Sequence, residues 1–205
     1  LTSSTAMLAD APGPRIPGAA TTSTAGYVAR EFTAGDPDEI ALSARWSVEC
    51  LVRLDALPSA GTEAVLLALI DANDALAPIA AIVVTVDATG YLHCWSDTAG
   101  LDYQTSGAAL PALDGAAVLV SAGYDGATLA VSFAHNGTAT ASTISSVEAT
   151  FPTGFTAGHL CKLAFGCPPE MLGDVVPIPF GYGGYGDTAA VAPDGTFYDA
   201  RVSGH

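Results

Sequence analysis

"YDGATLAVSFAHNGTATAS", residues 124–142, alternates apolar and polar positions on both sides of Asn136-Gly137. That dipeptide is the strongest short signal for a two-residue type I′ hairpin, because both of its positions take positive φ. On the first limb Leu129, Val131 and Phe133 fall on one face at a period of two. Tyr124-Asp125-Gly126 supplies a second turn just upstream, where glycine tolerates positive φ without steric cost. Two fixed turns pin the register, since a one-residue slip would carry the apolar row into water. The hairpin therefore specifies fold and carries no chemistry. Asn136-Gly137-Thr138 also matches a glycosylation sequon, but the turn reading accounts for it more directly.

The same grammar runs outward in both directions. "YVAREF" (27–32) and "EIAL" (39–42) flank the turn "AGDPD", and "RWSVECLVRLD" (45–55) places Trp46, Val48, Cys50, Val52 and Leu54 on one face of a half-buried strand. "EAVLLALID" (63–71) and "IAAIVVTVD" (79–87) are continuously apolar, as strands covered on both sides are. "GYLHCWSD" (90–97) pairs with "LDYQTS" (101–106) across "TAG", and "HLCKLAFG" (159–166) and "TFYDARVS" (196–203) close the series. Runs spaced in this way, punctuated by Gly, Pro and Asp, predict one all-β antiparallel sandwich of jelly-roll type over 27–205, with about 11 to 14 strands and under roughly 10% helix. Residues 1–26, with three prolines and many small polar residues, predict an extended N-terminal arm that packs on the domain or on a neighbouring subunit. Residues 167–195 show no clear period and are expected to form a long contact loop.

Among the 205 residues, 21 acids face 6 bases, for a formal charge of −15, and Lys162 is the sole lysine. Nucleic acid and anionic membrane both require a basic patch, so neither is an expected partner. No apolar run approaches the roughly 18 to 20 residues of a membrane helix, and a soluble protein is expected. No basic and apolar leader is read at Leu1, so the chain is expected to be processed or to be a piece of something longer. The four cysteines at 50, 94, 161 and 167 read as buried thiols, with Cys161 and Cys167 the pair to consider if any disulfide forms.

"RWSVECLVRLD", "IVVTVDATGYLHCW", "GAAVLVSAGYDGATLAVSFAHNGTA" and "GTFYDARVS", in that order, resemble the concanavalin A-like jelly rolls of the laminin G and pentraxin type over residues 27–203. Leu51 stands where that family often has Trp, Ala116-Ala117-Val118-Leu119 replaces the usual Trp-His, and Tyr198-Asp199-Ala200-Arg201 approximates the closing motif. The resemblance implies a β-sandwich and raises calcium, which family members hold through loop carboxylates. Acids in "GDPDE" (35–39), "DANDA" (71–75) and "SDTAGLD" (96–102) would serve, although Asp and Asn also make turns by bonding their own backbone, and that reading is preferred. No cofactor and no resident metal are expected.

Glycoside hydrolases and lyases share this fold, and a retaining pair on one strand would need acids at i and i+2 or i+4. No Glu-x-Asp-x-Glu run exists, and Glu49 is the lone acid within 46–54, on the face opposite the buried row. His93, His135, His159 and His205 are dispersed without zinc spacing, and no nucleophile elbow or phosphate loop occurs. No catalytic residue is assigned, and the chain is expected not to be an enzyme. Trp95, Tyr103, Tyr182 and Tyr185 are the candidate aromatic platform for a sugar, with Asp97, Asp102 and Gln104 as hydrogen-bonding partners. The alternative is that these aromatics cap the sandwich edge. Abundant Ala, Gly and Thr, with Arg favoured over Lys, suggests a high-GC bacterium or its phage. The leading expectation is a tail-associated or capsid-decorating virion module in an oligomeric assembly, partnered by virion or cell-surface proteins or glycan. The alternative is a secreted or cell-surface carbohydrate-binding module, with a glycan hydrolase or lyase third.

Overall fold

A computed structural model describes residues 15–16, 27–32, 46–71, 80–97, 101–111, 113–124, 128–140, 145–146, 161–167 and 189–204. Among them are fourteen strands and no helix. In chain order they are β1 (Arg15–Ile16), β2 (Tyr27–Phe32), β3 (Trp46–Ala56), β4 (Thr62–Asp71), β5 (Ala80–Asp87), β6 (Leu92–Asp97) and β7 (Leu101–Thr105), then β8 (Val118–Tyr124), β9 (Thr128–His135), β10 (Thr138–Thr140), β11 (Ser145–Ser146), β12 (Cys161–Gly166), β13 (Ala189–Val191) and β14 (Asp194–Gly204). They form two seven-stranded sheets. The first runs β1-β14-β3-β8-β9-β10 with β11 also on β9, and the second runs β2-β12-β4-β5-β6-β7 with β13 also on β4.

The deciding hairpin forms as its sequence requires. Asn136 and Gly137 have φ of 49° and 78°, the signature of the I′ turn, and Thr138 pairs with His135 across it. Val131 and Phe133 are buried. The backbone of Leu129 lies in the ladder opposite Tyr124. Asp125 and Gly126 of the upstream turn, "EIAL", and most of the N-terminal arm lie outside the described residues. Within the arm, Arg15 and Ile16 pair antiparallel with Thr196 and Gly195 of β14, so this part of it extends the first sheet.

Phe165 of β12 meets Phe197 of β14 with ring centroids 5.3 Å apart, which identifies the two inner faces. From there the registers place Val48, Cys50, Val52, Val118, Val120, Ala122, Val131 and Phe133 inward on the first sheet, opposed by Leu67, Leu69, Ile82, Val84, Val86, Leu92 and Cys94 on the second. All of these are buried. On its outward side the first sheet carries Glu49, Leu51, Leu119 and Ser121, which are half-buried or exposed.

The second sheet differs. Its outward positions Ala68, Val83, Thr85 and Ala164 are at most 2% exposed, so its central strands are buried on both faces. This is why β4 and β5 read as unbroken apolar runs. Residues 63–69 of β4 are all buried, and a bulge at Leu66, between Val65 and Leu67, shifts the register against β5 partway along the strand.

The expected long loop is interrupted. β13 lies within residues 167–195 and pairs parallel with the start of β4, an exception to the antiparallel scheme, and Asp194 and Gly195 already belong to β14. Three residues are too few to display a period in sequence. Cys50, Cys94 and Cys167 are buried, and the side chain of Cys161 lies outside what the structure describes. Burial, with Glu49 adding to it, pushes the Cys50 thiol up to about 12.

Candidate functional site

Two of the candidate aromatic residues, Trp95 and Tyr103, fall on the β6–β7 hairpin, at the end of the second sheet's strand order. Trp95 is the direct cross-strand partner of Tyr103, and Asp97 that of Leu101. Directly opposed positions share a face, with Cβ atoms about 4.5–5.5 Å apart. Val83, opposite Trp95 on β5, continues the row toward the middle of the sheet. Positions 83, 95, 97 and 103 thus share the outward face of the second sheet.

Asp102 pairs with Ser96, and Gln104 with Cys94. A period of two sets these four positions on the inward face, where Cys94 is fully buried. Of the residues proposed to act together, the register therefore unites Trp95, Tyr103 and Asp97 and puts Asp102 and Gln104 on the other side of the sheet. Tyr182 and Tyr185 lie outside the described residues, as do residues 35–39, 72–75 and 98–100 of the three acidic turns. Among the described residues, no group of three or more His, Cys, Asp or Glu side chains is placed to hold a metal ion.

Next to the aromatic row lies a polar network that the sequence reading did not single out. Glu63, Thr85, Asp87 and His93 share this outward face, because Glu63 pairs with Asp87, and Thr85 with His93. Glu63, Thr85 and His93 are buried. The Thr85 hydroxyl donates to Glu63 Oε2, and His93 Nε2 lies 3.1 Å from Asp87 Oδ2. Buried polar groups without partners would cost several kcal/mol, so the pairing explains how they are tolerated here. With its one proton committed to Glu63, the Thr85 hydroxyl is arranged as a structural donor.

Asp87 anchors the tight turn that brings β5 and β6 together. Its Oδ1 accepts from Thr89 N at 2.8 Å, Thr89 Oγ1 at 2.7 Å and Tyr91 N at 3.0 Å. Gly90, at φ 89°, donates its N–H to Asp87 O and closes the turn. Partial burial pushes the Asp87 carboxyl up, but the hydrogen bonds from Thr89, His93 and Tyr91 outweigh it and hold the group below the usual carboxylate range. Two polar residues at i and i+2 in an apolar strand, Thr85 and Asp87, were the available signal. Their partners came from two other strands, which spacing within one strand cannot reveal.

A second cluster sits beside the Asn136-Gly137 turn. Asp114 lies against His135 Nε2 at 3.2 Å beside a small pocket lined by Leu54, Leu110, Pro111 and Val118, with an empty volume of about 260 Å³ that includes open solvent. The Ala116 N–H holds the Asp114 carboxyl below its ordinary range against slight desolvation, and His135 adds to the effect.

No family model matches the sequence, and no curated protein matches it. Among solved structures, the chain is similar to domains LG4-5 of the mouse laminin α1 chain, with a TM-score of 0.57 and 14% identity over 97% of this chain and 45% of that one. It is also similar to the CBM40 of the Ruminococcus gnavus IT-sialidase, with a TM-score of 0.56 and 12% identity over 93% and 88% of the two chains. A heptameric SAP-like pentraxin from Limulus polyphemus aligns with a TM-score of 0.50 and 13% identity over 92% and 73%. The chain spans less than half the length of the laminin α1 structure it matches. The fold is thus that of the concanavalin A-like jelly rolls, as the sequence resemblance implied.

Proposed function

We propose that this domain is a non-enzymatic, lectin-like binding module that engages glycan through the outward face of the β6–β7 hairpin. The carrying observation is the direct cross-strand register of Trp95 with Tyr103, with Asp97 on the same face. Two neighbouring aromatic positions at one end of a sheet can supply flat apolar surface for a sugar face, and an adjacent carboxylate can accept from hydroxyls. The reading is supported by the likeness to the CBM40, which has been solved bound to α2,3 sialyllactose. The bonding of Thr85, Glu63, Asp87 and His93 among themselves supports a structural role for the polar network beside it.

Binding of the intact protein to a glycan array, followed by calorimetry on the best ligand, tests the proposal. Trp95→Ala and Tyr103→Ala should each weaken binding by about 1–3 kcal/mol with the fold retained. Full binding by the folded double variant would place the site elsewhere. The virion setting rests on composition and fold analogy, and the oligomeric assembly on the extended N-terminal arm. Virion genes beside the parent reading frame would support it, and a fused catalytic domain would support the secreted alternative.

A further inference from the structure

We propose that Asn136 is a self-modifying site, at which the Gly137 amide nitrogen attacks the Asn136 side-chain carbonyl and expels ammonia with proton transfer assisted by His135. Three observations at the hairpin tip converge on it. Asn136 and Gly137 are exposed, and apart from its chain neighbours no heavy atom lies within 4 Å of where a Cβ on Gly137 would sit, so the tip stands clear of the rest of the fold. The strand that holds the turn closed, β10, has three residues and an exposed start, so the tip can open locally at low cost. The Asn136 Nδ2 lies 3.5 Å from His135 Nδ1 and 3.3 Å from Nε2.

Asp114 gives the ring its orientation. A carboxylate only accepts, so His135 donates Nε2–H to Asp114, at 3.3 Å from Oδ1 and 3.2 Å from Oδ2. Both ring nitrogens lie within 3.5 Å of the amide nitrogen, and with Nε2–H held by Asp114 a ring protonated at Nδ1 as well can hand that second proton to the departing amine. The bond that forms joins Gly137 N to Asn136 Cγ, and the bond that breaks is Cγ–Nδ2. The Gly137 N–H proton passes to solvent, the His135 proton leaves with ammonia, and a cyclic imide remains. Water then adds at either imide carbonyl, which gives aspartate or isoaspartate. The isoaspartyl product routes the main chain through an extra methylene, which a I′ turn cannot accommodate, and either product adds a negative charge beside His135.

The test is incubation of the folded protein at physiological pH and temperature, followed by peptide mapping that separates aspartate from isoaspartate. Asn73 is the other asparagine of the chain and serves as internal reference. Both products should accumulate at Asn136, Gly137→Ala should suppress them, and His135→Phe should slow them at least about tenfold. The same His135→Phe comparison in urea-unfolded chains should show no difference, which separates proton transfer from a change in fold. An Asn136 that stays an amide in the native protein would overturn the proposal. Equal native rates with and without His135 would overturn the role given to the ring.

Discussion

Gly195 offers a stringent test of the β14–β3 ladder that closes the first sheet. A Cβ at this position would lie 2.3 Å from the Arg53 carbonyl oxygen and 3.2 Å from both Arg53 C and Leu54 Cα. Attractive contact between carbon atoms begins near 3.5–4.0 Å, so the ladder would have to part by roughly 1 Å to admit a methyl group. All three obstructing atoms are backbone, and no rotamer change can relieve them. Overpacking of this kind costs about 1–3 kcal/mol or more. In a strand with open space, Gly→Ala would instead stabilise by about 0.4–1 kcal/mol through the unfolded chain. Steric cost should win, leaving Gly195→Ala destabilised by about 1–3 kcal/mol, a fall of roughly 3–10 °C in Tm for a domain of this size. Thermal and urea melts followed by circular dichroism would measure it. Gly61→Ala is the contrasting control, since its φ of 79° imposes strain while nothing lies within 4 Å of the added atom. A Gly195→Ala protein that melts at or above the parent temperature would refute the close approach.

Other outcomes follow from the same geometry. Because the Asp87 carboxyl titrates below its ordinary range, its contribution is present above the unfolded pKa and lost as pH falls through the folded one. Asp87→Asn should therefore flatten the acid limb of a stability-versus-pH curve, and an unchanged limb would count against the turn network. Thr85→Val removes the donor to buried Glu63 and should cost about 1–3 kcal/mol in denaturant melts. With its thiol pushed up to about 12 and buried, Cys50 should resist alkylation in the native protein and react only on unfolding, as mass mapping of the labelled chain would show. Replacing Tyr182 and Tyr185 together by Ala should weaken ligand attachment by about 1–3 kcal/mol at a nearly unchanged Tm if they join the aromatic row, and leave binding intact if they do not.

Where a feature was local, the sequence was a good guide to it. Tyr27–Phe32 forms a strand with the expected bounds, and the Asn136-Gly137 turn appears with both positive φ values. The double-sided burial of β4 and β5 was legible because an unbroken apolar run has no solvated face to display. Features made by register were harder. Glu63, Thr85 and His93 come from three strands and meet only after β5 pairs on both sides. Asp102 and Gln104 looked like companions of Tyr103 because they flank it, yet flanking is what sends a strand neighbour to the opposite face. β13 was invisible because Ala-Ala-Val carries neither turn chemistry nor alternation.

The closing strand also sets how the domain bears mechanical load. Gly204 at the end of β14 is paired with Trp46 at the start of β3, and the two strands run antiparallel from that rung to Asp194 and Ala56. A force drawn between residue 204 and the chain entering β3 opens this ladder one rung at a time, like a zipper. A force drawn between residue 204 and the far end of β3 loads many rungs at once in shear. The direction of pull therefore decides whether this strand pair yields early or holds, and a tether joined through Gly204 would be mechanically soft or stiff according to where its counterforce enters.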